Sequence, residues 1–251
     1  MAVQNLGGIT MKEVITFQTQ VMMGAQFGRI TSKQATKEDL LIACLRMGWN
    51  DAFRHTSKNK TEGNTIVLEA EEIRWRHDGH KKPHDDVICG KILSKPVLLN
   101  TFVEFACAIS TADKVKIVES HYAELEEIFA PYKEITGNKR LCFGHFQKMF
   151  NIAIKLYVCL YVCRGWLDLE EGRFCSKILE NLQNADCPID SIILENLASK
   201  TNNKEYASHK WSKYGTAKHP QSNYENVQDE ISKVVPEGNS RLYYDFVAWK
   251  Q

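Results

Sequence analysis

The chain has 251 residues, and its 32 Lys and Arg residues nearly balance its 31 Asp and Glu residues, giving a formal net charge of +1. This balance excludes a strongly basic protein that coats nucleic acid, so any surface for nucleic acid has to be local. With 43% hydrophobic and 25% charged residues, the chain is expected to be globular rather than disordered. Its eight cysteines form no Cys-x-x-Cys pair and its start shows no signal-peptide pattern, so we expect a cytoplasmic protein.

Residues 1–95 are predicted to form a helical N-terminal region with one small β element. Apolar residues recur at helical spacing within residues 10–30, and Thr36 stands as an N-cap before the apolar stripe of the next helix. Within residues 65–90 the sequence Glu-Ala-Glu-Glu favours a helix. The alternating apolar and charged residues that follow it favour a small hairpin.

One segment of this region, "RHDGHKKPHDD", is rich in potential metal ligands. These residue types bind zinc or harder divalent ions, but the glycine, proline and lysines of the segment favour an exposed turn. We therefore predict no metal and no cofactor. The residues concerned are His77, His80, His84, Asp85 and Asp86.

Residues 96–251 are predicted to form a helical domain, because apolar runs with helical spacing alternate there with turn-rich segments. Thr111 is predicted to cap a helix over 112–132, and Ser222 is predicted to cap another over 223–235. The whole chain is thus predicted to be mainly α. Further helices are expected over 97–109, 143–165, 167–182, 189–199 and 241–251.

The helix predicted over 143–165 is apolar but contains Lys148 and Lys155, which lie seven positions apart and therefore face nearly the same way. A buried unpaired ammonium is costly. Lysines in such a helix therefore have three alternatives. They extend their ammonium groups to the surface, they pair with a buried carboxylate, or they line a cleft where they lose their proton. Because they also interrupt the longest apolar run, no membrane span is predicted.

The stretch "FGHFQKMFNIAIKLYVCLYVCRG", followed by "CPIDSII", resembles the helix–hairpin–helix superfamily of DNA glycosylases, and most of all the archaeal-type 8-oxoguanine glycosylases. In that superfamily a glycine-containing turn leads into a helix with a catalytic lysine. Here Gly144 stands four residues before Lys148, and Lys155 matches a second lysine of the archaeal branch. The Pro-aliphatic-Asp element that follows in these enzymes corresponds to residues 188–190.

This resemblance implies an orthogonal helical bundle and base excision, as a glycosylase or lyase, on a nucleotide flipped out of DNA. It implies that Lys148 is the nucleophile and that Asp190 is its acidic partner. The chain lacks the second hairpin glycine and has a longer gap before Asp190. The predicted contacts to DNA are Lys139, Arg140, Gly144, His145, Gln147, Asn151, Lys155 and Arg164.

The chain is also similar to a group of uncharacterised bacterial proteins. They share the Gly-x-x-x-Lys, Asn-x-x-x-Lys and Pro-aliphatic-Asp elements, followed by a tryptophan and Tyr-x-x-x-Gln. In this sequence the last two elements correspond to Trp211 and to Tyr224 with Gln228. This likeness implies no particular activity.

Two other functions remain open at this point. Arg140 and His145 have the Arg-x4-His spacing of the HEPN ribonucleases, in which a histidine serves as acid or base in RNA cleavage. Alternatively, Lys148 and Asp190 are a structural pair in a non-catalytic helical interaction protein.

Overall fold

A computed structural model describes residues 7–9, 35–53, 92–129, 141–165 and 169–248. This part of the chain is 71% helical, with ten α-helices and no strand, so the prediction of a mainly α fold is confirmed. The predicted helix over 10–30, the β element, the histidine cluster, Lys139 and Arg140 lie outside the described residues.

The described part of the chain also contains three 3-10 turns. The turns are Glu171–Arg173, Leu182–Asn184 and Trp211–Lys213. The helices are α1 (Lys37–Phe53), α2 (Pro96–Cys107), α3 (Thr111–Ser120), α4 (Tyr122–Ile128), α5 (Phe143–Cys163), α6 (Ser176–Glu180), α7 (Ser191–Thr201), α8 (Glu205–Ser208), α9 (Ser222–Val234) and α10 (Leu242–Ala248).

Side-chain caps define the starts of α1 and α3. Thr36 Oγ1 accepts the Asp39 N–H at 3.2 Å, and the Thr36 N–H donates to the Asp39 carboxylate at 2.7 Å, as predicted for a capped start. The α3 cap is Ser110, whose Oγ accepts the Asp113 N–H at 3.1 Å. The prediction of Thr111 as this cap was wrong by one residue, because Ser110 has the extended backbone and Thr111 is already helical.

Two of the predicted helices are shorter in the structure. The helix expected over 112–132 breaks at His121, whose ψ of 7° is not helical. The helix expected over 167–182 is replaced by a 3-10 turn and α6, separated by extended Phe174. The Phe174 ring packs 5.3 Å from the rings of Tyr157 and Tyr161, so burial of an aromatic side chain overrides the local helical preference.

The predicted helix over 143–165 is confirmed as α5, which is the centre of the core. All of its residues except Ile152 and Val162 are buried. By length and composition α5 could cross a membrane, but 89% of its most apolar window is covered by the rest of the protein. The core combines residues from both sides of the predicted boundary at residue 95, including Leu45 of α1 and Phe102 of α2.

Candidate active site

Lys148 of α5 lies between two carboxylates and an indole ring. Its Nζ is 2.9 Å from Asp51 Oδ2 and 3.5 Å from Asp190 Oδ2. It also lies 4.8 Å from the centroid of the Trp211 ring, within the range of a cation–π contact. The exposed fraction of the side chain is 5% for Lys148, 10% for Asp190 and 30% for Asp51. The amine is therefore just beneath the surface, and Asp51 has the more exposed side chain of the two acids, although its Oδ2 is buried.

Asp190 is the N-cap of α7, as the sequence predicted for an acid at a helix start. Its Oδ1 accepts the Ile193 N–H at 3.0 Å, whereas its Oδ2 faces Lys148. The positive end of the helix dipole favours a carboxylate at this position. One carboxylate oxygen of Asp190 thus caps α7, and the other interacts with Lys148.

The extended segment before Asp190 is held by two buried glutamine side chains. Gln147 of α5 accepts the Ile189 N–H at 3.2 Å and donates to the Ile189 carbonyl at 3.0 Å. Gln228 of α9 accepts the Cys187 N–H at 3.0 Å and donates to the Cys187 carbonyl at 2.6 Å. Because both residues that flank Pro188 have their backbone groups satisfied in this way, the position of the Asp190 carboxylate is fixed relative to α5.

Two glycines allow the partners of Lys148 to approach α5. A Cβ on Gly48 would overlap the carbonyl oxygen of Met149, so Gly48 lets α1 lie directly against α5. A Cβ on Gly144 would overlap the carbonyl oxygen of Trp211. These close contacts bring Asp51, one turn beyond Gly48, and the Trp211 ring to the lysine.

His145 is buried beside this site as a neutral imidazole. Its Nδ1 accepts the Cys142 N–H at 3.2 Å, and its ring packs 6.0 Å from the Trp211 ring. Burial is the main cause and the nearby charge of Lys148 adds to it, so that the pKa of His145 is lowered to about 4. His145 thus adds no charge to the site near neutral pH.

The second lysine of α5 is sealed inside the protein. Lys155 forms an ion pair with Asp245 of α10, and each side chain is 1% exposed. Its Nζ lies 5.0 Å from the centroid of the Phe246 ring. Burial raises the pKa of Asp245, and the charge of Lys155 opposes this rise. A lysine in this position has no access to DNA.

Other predicted DNA contacts also have internal partners. The Gly144 N–H donates to the Tyr214 carbonyl at 3.0 Å, so it is not directed at a phosphate. Arg164 donates to the Tyr161 carbonyl at 2.8 Å and lies 3.7 Å from the carboxylate of Glu171. Gln147 is occupied by the segment before Asp190, as described above.

Asn151 belongs to a buried polar chain that leads away from the site. Its Nδ2 donates to the Tyr224 hydroxyl at 3.0 Å, and that hydroxyl donates to Asp186 at 2.8 Å. Asp186 pairs with Lys114 at 3.3 Å and with Arg241 at 2.6 Å. Burial by itself raises the pKa of Asp186, but these two cations and the Tyr224 hydrogen bond outweigh it and lower the pKa.

Of the predicted pair, the structure brings Lys148 and Asp190 together, and it adds two residues that the motif analysis had not assigned to the site. Trp211 was part of the likeness to the bacterial group, so a signal for it was present. Asp51 had no such signal, because nothing in its local sequence "WNDAF" separates it from other helical acids. Among the described residues no cluster of three His, Cys, Asp or Glu side chains is arranged to hold a metal ion.

No protein-family model, no curated protein and no solved structure matches this chain. What the site can do must therefore be inferred from its chemistry. A lysine amine with one carboxylate at 2.9 Å, a second at 3.5 Å and an adjoining aromatic face is suited to attack on an electrophilic carbon beside a planar group.

Proposed function

We propose that this protein is a DNA base-excision enzyme of the helix–hairpin–helix glycosylase type, in which Lys148 attacks a flipped-out nucleotide. The observation that carries the proposal is the 3.5 Å separation between Lys148 Nζ and Asp190 Oδ2, with Asp190 at the N-terminus of α7. These two residues are 42 positions apart, and they match the lysine and aspartate of the glycosylase pattern.

The reaction requires a defined movement of protons and electron pairs. Lys148 first gives one proton to a neighbouring carboxylate, and its nitrogen lone pair then forms a bond to C1′ of the deoxyribose. The C1′–N bond to the damaged base breaks, its electron pair leaves with the base, and the base takes up a proton. A second lysine proton is lost, the C1′–O4′ bond opens onto a protonated O4′, and a protonated Schiff base remains. The negative charge of Asp190 stabilises the cationic species along this path.

A local basic segment next to the site supports DNA as the partner. Residues 200–218 contain five exposed lysines and a single acid, Glu205, although the chain as a whole is nearly neutral. Trp211 lies in the middle of this segment, half-buried against Lys148. Exposed lysines in the segment that places Trp211 against Lys148 would provide contacts for phosphate groups. The five residues are Lys200, Lys204, Lys210, Lys213 and Lys218.

The test is to trap the Schiff base with borohydride. The full chain is incubated with a duplex that carries one abasic site, whose aldehyde reacts directly with an amine, and with a duplex that carries one 8-oxoguanine. We expect a covalent protein–DNA adduct on the abasic duplex that is lost in Lys148→Gln and retained in Lys116→Gln, a control at an exposed lysine outside the basic segment. An adduct on the 8-oxoguanine duplex as well would identify glycosylase activity on that base.

The second candidate is the non-catalytic helical protein in which Lys148 is structural. It is favoured by the low exposure of Lys148 and by the neighbouring Lys155–Asp245 pair, which has the same composition. This alternative predicts no adduct with either duplex, or an adduct that Lys148→Gln leaves unchanged.

The ribonuclease alternative receives less support. Arg140 lies outside the described residues, and His145 is 5% exposed with its Nδ1 occupied by the Cys142 N–H. To act as acid or base in RNA cleavage, the buried His145 imidazole would have to reach the 2′-hydroxyl of an RNA.

A further inference from the structure

We propose that Asp51, a residue of α1 outside the lysine and aspartate motif, is the proton acceptor for Lys148, and that Asp190 acts by its charge. This inference rests on the proposed function and adds a third catalytic residue to it. It also assigns a part of the chemistry to the N-terminal half of the chain.

The distances distinguish the two carboxylates. Asp51 Oδ2 is 2.9 Å from Lys148 Nζ and forms the closer of the two ion pairs, although the contact is not aligned as a hydrogen bond and Oδ2 itself is buried. Asp190 Oδ2 is 3.5 Å away, a distance at which a carboxylate still stabilises positive charge but is poorly placed to take a proton.

The other interactions of the two carboxylates also favour Asp51 as the proton acceptor. Asp190 accepts the Ile193 N–H and lies at the positive end of the α7 helix dipole, and both interactions stabilise its ionised form. Protonating Asp190 would weaken these interactions. Asp51 is a residue of the last turn of α1, where the dipole disfavours a negative charge.

Exposure gives Asp51 a route for the proton that Asp190 lacks. The Asp51 side chain is 30% exposed, compared with 10% for Asp190. Because Oδ2 itself is buried, a proton that it takes from Lys148 reaches solvent through the exposed part of the Asp51 side chain, by rotation of the carboxyl group, and the carboxylate is then regenerated. Asp190 remains ionised throughout and faces the cationic Schiff base.

The packing of α1 on α5 fixes this arrangement. Gly48 permits the close approach of the two helices at Met149, directly beside Lys148 in sequence. Asp51 follows Gly48 by three residues, so it projects from nearly the same face of α1. The acid is thus placed by a helix–helix contact and not by a mobile loop.

The experiment compares Asp51→Asn with Asp190→Asn in borohydride trapping on the abasic duplex, from about pH 6.5 to about pH 9. Both changes are nearly isosteric, and asparagine is as good an N-cap as aspartate, so α7 keeps its start in the second variant. Glu38→Gln, which removes an exposed acid from the same helix α1, controls for the change in net charge.

We expect Asp51→Asn to lower the trapping rate about 100-fold near neutral pH and to recover as the pH rises, because hydroxide then removes the lysine proton. The loss in Asp190→Asn should persist at every pH, since charge stabilisation cannot be replaced from solution. Asp51→Glu, which keeps a carboxylate, should be faster than Asp51→Asn, and it serves as the second variant if asparagine impairs folding.

The possible failures are distinguishable. An adduct that forms at the unchanged rate in Asp51→Asn, or a loss that does not depend on pH, overturns the role of Asp51 alone. No adduct with the unmodified chain overturns the proposed function and this inference with it.

Discussion

The two lysines of α5 are alike in sequence and different in surroundings. Each pairs with an aspartate and each has an aromatic ring about 5 Å from its amine: Trp211 for Lys148 and Phe246 for Lys155. Lys155 and its partner Asp245 are completely enclosed, however, whereas Lys148 has two acidic partners and one of these reaches water.

This difference separates an ion pair that only has to hold the fold from one that can exchange protons. Within an enclosed pair, the two charges compensate each other away from water. Within the Lys148 group, the partly exposed Asp51 side chain brings the ion pair close to water. Two lysines on the same helix face thus have different surroundings, and only those of Lys148 suit the chemistry that we propose.

The largest effect is expected at the enclosed pair. Lys155→Met leaves the Asp245 carboxylate buried without its cation and should lower the free energy of unfolding by about 3 to 5 kcal/mol. Urea-induced unfolding followed by circular dichroism measures this change. Lys155→Met combined with Asp245→Leu removes both charges and should recover most of the loss. If the double variant were as unstable as the single one, packing rather than charge would explain the effect.

A smaller effect is expected from His145, which lies within the electrostatic reach of Lys148. Its pKa is lowered from 6.5 to about 4 in the folded protein, so the unfolded chain binds the proton more readily between these values. The contribution of His145 to the free energy of unfolding is therefore fully present above the pKa that this residue has in the unfolded chain. It is lost as the pH falls toward the pKa in the folded protein. By about pH 5 this group should reduce the free energy of unfolding by roughly 2 kcal/mol.

His145→Asn, which keeps an acceptor near the Cys142 N–H, isolates that contribution. Unfolding in urea at about pH 7.5 and about pH 5 should show a weaker dependence on pH in this variant than in the parent chain. Equal dependence in the two proteins would mean that His145 is not held neutral.

The smallest effect is expected when Lys148 is replaced. In Lys148→Met, water can hydrate Asp51, and the Ile193 N–H still binds Asp190, so the loss should be about 1 kcal/mol or less. Urea-induced unfolding alongside Lys155→Met gives the comparison directly. Equal losses in the two variants would favour a structural role for both lysines.

The helical class and most helix positions could be predicted because they depend on local patterns. The spacing of apolar residues in α5, the cap at Thr36 and the acid that begins α7 are all visible in short windows of sequence. The break at His121 and the extended conformation of Phe174 could not be predicted, because they depend on how distant aromatic and polar groups pack.

The candidate site was predictable in part for the same reason. Lys148 and Asp190 belong to recognisable motifs, whereas Asp51 contributes through a helix contact that involves a glycine and a main-chain carbonyl. Several polar residues of α5 were predicted to contact DNA. In the structure Lys155, Gln147 and Asn151 have partners within the protein, and a single sequence contains no signal that distinguishes an internal partner from an external one.

The side-chain amides of Gln147 and Gln228 each form a pair of hydrogen bonds to the segment that precedes Asp190. These bonds connect three distant parts of the chain, since they join α5 and α9 to that segment. No intermediate in which α9 is still undocked can hold that segment in its final position. The reactive geometry therefore exists only after the last helices have assembled. A nascent or partly unfolded chain would carry the lysine without its aligned acid, so under the proposed function its amine would react with DNA only once folding is complete.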